Sequence, residues 1–451
     1  MVSVETFLLQ ILVLSLFLLF GYILRLKVKI FQKLFIPAPI IGGIIGLVLG
    51  PATWGEKAII PIPADWIEVY SRIPGVLITA VMAGSVLGIR FPGKREFVES
   101  VGKHLSYTVA FYSSQFAIGG IVGAIFAAGV YKTFGLELFA GFSGGHGTAG
   151  VYGQILEGLK ADWWLVGQGV ALTSATIGIV FGVVGGMLLI NIAARKGQTA
   201  LLASPKEIPE EVRKGICKDE CNRKIVGKSV TAWDVLDPIS YTFCLIAIPT
   251  LAGIMMRKAF TAYSVAGFKD VGAYAWALTA SAVLWLLVER CGFGWILDRD
   301  IKNRIVGTMV DFLVVAAIIS LPLKAVSQYI LPIGVLMVCG IVGAVFMFLL
   351  GKWLLPDYWV ERSIMTFGQC TGVTATGLLL LRIVDPDFKS PAVTAWGFSY
   401  LLAFPVFSIY MGIGAAMIMS RGYLGFVLLS VVIMIVAIWS VRLFPCSEKD
   451  K

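Results

Sequence analysis

Apolar runs of membrane-crossing length recur along the whole chain, at roughly 6–24, 34–50, 74–90, 104–130, 163–193, 238–256, 271–289, 305–323, 329–351, 392–419 and 423–444. About 20 consecutive apolar residues are enough to carry one helix across a bilayer. A chain that is 58% hydrophobic and 14% charged, with a mean hydropathy of +0.87, is not an ordinary soluble protein. Its formal net charge of +10 is not a nucleic-acid signal, because the basic residues sit in short loops between the runs. There they read as determinants of topology. The seven cysteines form no secreted disulfide framework. Cys217 and Cys221 share one loop, but that spacing, without a second pair or a nearby His, is a weak metal signal. No transition-metal site and no cofactor are expected. The first run lacks a basic leader and a small-residue cleavage site, so it is expected to stay as a helix.

Charge can be counted loop by loop. Loop 25–33 holds Arg25, Lys27, Lys29 and Lys33, and loop 90–103 holds Arg90, Lys94, Arg95 and Lys103. Between them, 51–73 has only Lys57 and Arg72 against Glu56, Asp65 and Glu68. The positive-inside rule then places the first loop in the cytoplasm and the N-terminus outside. The polar linker 194–236, rich in Lys and Arg, is also cytoplasmic on this count. That requires an odd number of crossings in the first half, and five suffice only if 136–159 enters and leaves on the outer side.

That segment has the composition for such a path. Gly141-Phe-Ser-Gly-Gly-His-Gly-Thr-Ala-Gly-Val-Tyr-Gly153 packs six glycines around Ser143, His146 and Thr148. Non-helical backbone at membrane depth persists only inside protein or beside a water-filled cavity, and glycine lets it turn tightly. A second polar stretch, Thr366-Phe-Gly-Gln-Cys-Thr-Gly-Val-Thr-Ala-Thr-Gly377, lies between Arg362 and Arg382, also ahead of the fifth run of its half. Laying 141–153 over 366–378 pairs Phe142 with Phe367 and Gly147 with Gly372. Odd crossings per half make the halves inverted, and interrupted segments in matching positions point to a secondary transporter and its binding site. The expected fold is an all-α polytopic membrane protein of two inverted five-helix repeats, 1–193 and 237–420. Each carries a re-entrant hairpin, at about 136–159 and 362–382. An extra C-terminal helix within 421–451 returns the chain to the cytoplasm.

At these residues the chain resembles the bacterial sodium/glutamate symporter family. The likeness rests on Ile36-Pro-Ala-Pro-Ile-Ile-Gly-Gly43, Ser143-Gly-Gly-His-Gly-Thr148 and Ala175-Thr176-x-Gly178-x-Val180-x-Gly182, and it extends over about residues 1–420. It implies sodium-coupled uptake of glutamate in the cell (inner) membrane, a homodimer, and elevator-like movement of a transport domain. The second stretch departs from the family, reading Gly368-Gln369-Cys370-Thr371 where the family has Gly-His-Cys-Gly with more glycines after it. Asp311 has no matched counterpart. Both departures bear on the binding site, so the resemblance favours sodium coupling over glutamate itself. A carrier of another carboxylate or small solute, driven by sodium or protons, is the nearest alternative.

Candidate substrate-binding residues are Ser143, Gly144, Gly145, His146, Gly147, Thr148, Thr176, Gln369, Thr371 and Gly372. Candidate sodium ligands are Ser174, Thr374, Thr376 and Asp311, since hard cations take hydroxyl, carbonyl and carboxylate oxygens. The plain reading of any single Ser or Thr is a bond to its own helix carbonyl. Recurrence in both halves favours function for the set. Asp311 follows Arg304 by seven residues, about 10 Å along a helix; its plain reading is an interfacial pair with that Arg, its functional one a cation site. Arg382 is the nearest candidate carboxylate clamp. His146 could touch substrate or brace the hairpin. Gly178 to Gly186 suit close helix packing, and Pro37 and Pro39 break the second run. Two other classes compete. Gly141-Phe-Ser-Gly-Gly145 satisfies the serine-hydrolase pattern G-x-S-x-G, which has meaning only on a strand–turn–helix elbow with a second His such as His104. Half-helices also build channel filters.

Overall fold

The computed structural model describes residues 4–33, 36–88, 101–201, 214, 216–217, 225–232, 234–263, 273–321, 326–355, 357–385 and 389–444. Among them every regular element is helical. The main helices are α1 (Val4–Lys27), α2 (Ala38–Leu49), α3 (Ala64–Val86), α4 (Gly102–Ile125), α5 (Gly145–Gly158), α6 (Trp164–Arg195) and α7 (Pro238–Ala262). They continue as α8 (Ala273–Arg290), α9 (Arg299–Ile319), α10 (Ile330–Leu354), α11 (Trp359–Cys370), α12 (Thr374–Val384), α13 (Ala392–Arg421) and α14 (Tyr423–Ser440). Eight of the described helices are long and apolar enough to cross a membrane. Loop residues Arg90, Lys94 and Arg95, most of the polar linker, and Cys221 fall outside the described residues.

Helix starts follow local chemistry more than hydropathy. Asp237 caps α7 by accepting from the amides of Ile239 and Ser240, with Pro238 at the first helical position. Such a start leaves no amide wasted. Asp298 caps α9 through Ile301 N at 2.9 Å, six residues before the apolar run predicts a start. The third run is corrected further: α3 begins at Ala64, ten residues ahead of the predicted 74. Its first turns carry Asp65, Glu68 and Arg72, which hydropathy discounts but which a helix tolerates through the i,i+4 Arg72–Glu68 pair. The second run yields only the 12 residues of α2, because Pro37 stands at its N-cap.

The chain divides into two compact units, and each draws on both halves of the sequence. The first comprises 1–91, 153–165 and 210–324. In it α3 and α9 pack together, with α2 and α1 on one side and α7 and α8 on another. Close crossings are made by glycine: a Cβ on Gly42 would strike the Phe17 carbonyl of α1, and one on Gly253 would strike Ala277 of α8. Ser281 of α8 donates to Ala83 O of α3 at 2.6 Å. Residues 153–158 join this unit through Arg72 and Glu157, 2.6 Å apart, and through Gln154, whose amide donates to Gly75 O.

The second unit comprises 92–152, 166–209 and 325–451. Its hub is α4, which α10, α13 and α14 surround. Burial of a span on all sides lets it carry polar side chains, provided they find partners inside the protein. An aromatic cluster fills the space between α4 and α13: Phe116 stacks on Phe139 at 4.4 Å, and Tyr112 meets Phe139 and Phe407, each at 5.3 Å.

Candidate functional site

Both polar stretches belong to the second unit, and their breaks meet there. In the first, helix persists almost to the break. Leu138–Ser143 form a π-helical turn, Gly144 is a single turn residue, and α5 begins at Gly145. Gly145 has φ +69, a region that strains any residue with a Cβ. In the second stretch Thr366–Cys370 are still part of α11, and the break is confined to Thr371, Gly372 and Val373 before α12 starts at Thr374. Both interruptions are thus shorter than the polar stretches suggest.

A Cβ on Gly145 would lie 2.6 Å from Val373 Cγ1 and 3.1 Å from Gly372 O. The N-termini of α5 and α12 are therefore neighbours. Each presents unbonded amides and a partial positive charge, so together they form a place suited to an anionic group. Helix α6 supports both breaks with a glycine stripe. A Cβ on Gly178 would meet Thr371 O at 2.6 Å and Phe142 O at 2.9 Å, and one on Gly182 would meet Thr371 Oγ1 at 2.7 Å. Small residues here let the backbones close, as expected of this stretch.

The hydroxyls divide into two kinds. Thr148, Thr371 and Ser174 each donate to the carbonyl four residues earlier in their own segment: Gly144 O at 2.8 Å, Phe367 O at 2.8 Å and Val170 O at 2.9 Å. Their oxygens still offer lone pairs. Thr176 donates to Leu172 O and lies 3.1 Å from His146 Nε2. Because its one proton is committed to Leu172, the imidazole supplies the other. His146 thus braces the first break against α6. Thr376 is buried, whereas Thr374 and Gly147 are half-buried. Ser143 is 1% exposed and stands beside the Cys370 thiol, without a hydrogen bond of normal geometry.

Asp311 lies in the first unit, half-buried, with no hydrogen bond or ion pair among the described residues, so the Arg304 pairing is absent. Arg382 is exposed, at the last turn of α12. The buried guanidinium is Arg362 instead, 1% exposed and 3.1 Å from Asp357. Its neighbour Glu361 accepts the amides of Ala200 and Leu201. Among the described residues Ser143 and His104 do not pair: Ser143 sits on a π-turn, and His104 Nε2 is 3.0 Å from Thr366 Oγ1.

Sequence reasoning missed the polar residues of α4. Tyr112 donates to Gln369 Oε1 at 3.0 Å, and Gln115 Nε2 donates to Cys370 O at 2.8 Å. The signal was there, because Tyr112-Ser-Ser-Gln115 interrupts an apolar run. Glu137 was also missed. It is fully buried, and its Oε1 accepts from Tyr131 at 2.8 Å and Tyr152 at 2.9 Å, while Oε2 accepts from Gly135 N at 2.5 Å. The cage fixes the entry to the first break.

Eight helices long and apolar enough to span a bilayer, with two neighbouring helix N-termini and buried uncharged oxygens between them, mark a multi-pass membrane protein. The family model of the sodium/glutamate symporter matches residues 3–376, most of the chain. This chain belongs to that family of secondary transporters. No curated protein matches it.

Proposed function

We propose that this protein takes up glutamate or a related organic anion together with sodium, by elevator-type alternating access. In this reading 136–159 and 362–382 are re-entrant hairpins of two inverted repeats, the N-terminus is outside, the C-terminus is cytoplasmic, and the protein works as a homodimer in the cell membrane. One observation carries it: the N-termini of α5 and α12 meet at Gly145 and Val373, within one compact unit. Opposed half-helix N-termini favour a carboxylate without needing a buried cationic side chain. That suits a site whose nearest arginines are exposed or already paired. Neighbouring carbonyls and the hydroxyls of Ser174, Thr374 and Thr376 offer sodium the hard oxygens it takes. Asp311, in the first unit, is a separate cation contact in this reading.

The test is uptake of labelled glutamate into proteoliposomes, with and without an inward sodium gradient. Sodium-driven accumulation above the equilibrium level supports the reading. Accumulation of a different carboxylate alone assigns the altered second stretch, Gln369-Cys370-Thr371, to substrate choice. Equilibration without accumulation would make the protein a channel and refute coupling.

A further inference from the structure

The side-chain amide of Gln115 is held in one orientation. Its Nε2 donates to Cys370 O, an acceptor that only the nitrogen can serve. The other end, Oε1, is left as an acceptor with no partner, on a residue 1% exposed. Ser143 Oγ, equally buried, lies beside the same Cys370. Cys370 is the last residue of α11, so the local backbone field is that of a helix C-terminus, which is negative. Aromatic rings of Tyr112, Phe116 and Phe139 close one side of Gln115's helix and limit access of bulk water. Unpaired oxygens in a negative field call for a positive ligand or a proton donor.

We propose that Gln115 Oε1 is a direct ligand of the coupling cation, a monovalent ion held at the C-terminal end of α11 with Ser143 Oγ as a second contact. The inference rests on the transport reading but has its own readout. Anion and cation then occupy opposite helix ends of the same break: the N-termini of α5 and α12 for the carboxylate, the C-terminus of α11 for the ion. The substrate's ammonium shares this chemistry, and the experiment separates the two.

Full-length protein in detergent is titrated with NaCl against choline chloride, and melting is followed by tryptophan fluorescence, without substrate. Wild type should be stabilised by sodium with a saturable midpoint. Gln115→Leu, which loses both N–H and oxygen, should raise that midpoint at least tenfold. Gln115→Glu, which loses the N–H but keeps the oxygen, should retain a sodium midpoint within threefold of wild type at pH 8. Equal loss in both variants would mean that only the bond to Cys370 matters, and would overturn the proposal. So would an unchanged midpoint in Gln115→Leu, which would leave a buried water as the occupant. In a parallel glutamate titration at fixed NaCl, a shift in the glutamate midpoint alone, with the sodium midpoint unmoved, would assign Gln115 to the ammonium and refute the ion. No sodium effect on wild type overturns the proposal as well. A sodium effect without glutamate uptake leaves the proposal intact and removes only the choice of substrate.

Discussion

Gly145→Ala tests whether the two breaks truly touch. At φ +69 an alanine costs about 1–2 kcal/mol from its own backbone. Its Cβ would also lie 2.6 Å from Val373 Cγ1, an overlap of the kind that costs about 1–3 kcal/mol when neighbours must shift. The total is about 2–5 kcal/mol. Gly197→Ala isolates the first contribution, since Gly197, just past the end of α6, has φ +62 and nothing within 4 Å of a Cβ. Val373→Ala removes the obstructing methyl, so Gly145→Ala/Val373→Ala should recover about 1–3 kcal/mol relative to the sum of the single changes. The assay is equilibrium unfolding in mixed micelles for wild type and all variants. Additivity within about 0.5 kcal/mol would refute the meeting of the N-termini, and with it the anion site built on them.

Three further outcomes are expected. Thr148→Val and Thr371→Val should each slow sodium-driven uptake while changing stability by no more than about 1.5 kcal/mol, one hydrogen bond apiece; full uptake by both would remove them from the site. Glu137→Gln turns an amide N–H₂ toward either two tyrosine hydroxyls or the Gly135 amide, and should destabilise by about 1–3 kcal/mol, with Tyr131→Phe milder in the same unfolding assay. Asp311→Asn should raise the sodium concentration for half-maximal uptake without altering melting; an unchanged sodium dependence would exclude Asp311 from ion binding.

Much of the helical plan was legible, because runs of about 20 apolar residues leave the backbone few alternatives. The failures came where local chemistry outweighs hydropathy, as at Ala64, where three charged residues hid the first turns of α3. The two polar stretches stood out because glycine in an apolar context is conspicuous. Their break points did not, since Thr366 and Gly141 look no more helical than Thr371 or Gly144. Which partner a hydroxyl chooses is a matter of rotamer and neighbour. Thr176 and Thr371 are alike in sequence, yet one adds a contact to His146 and the other bonds only its own segment. Gln115 stands out in sequence as polar but could not be aimed: in a span buried on all sides, no periodic stripe indicates where each residue points.

The placement of α14 has a consequence for how this protein can be made. The family match ends at residue 376, yet α14 packs along α4, where Gly120 faces Val427 and Gly123 faces Tyr423. Ser106 and Ser440 share a hydrogen bond of 2.9 Å, and Tyr423 donates to Phe134 O at 3.0 Å, just ahead of the first break. The helix that carries Tyr112 and Gln115 is therefore one of the first out of the ribosome and one of the last to gain its neighbours. Gln115 waits 255 residues of synthesis for Cys370 and Ser106 waits 334 for Ser440, roughly 10–70 s at about 5–20 residues per second. A chain released after Arg421 keeps the α11 partners of Tyr112 and Gln115 but loses those of Ser106 and Gly120, and greater protease sensitivity in isolated membranes would reveal the loss.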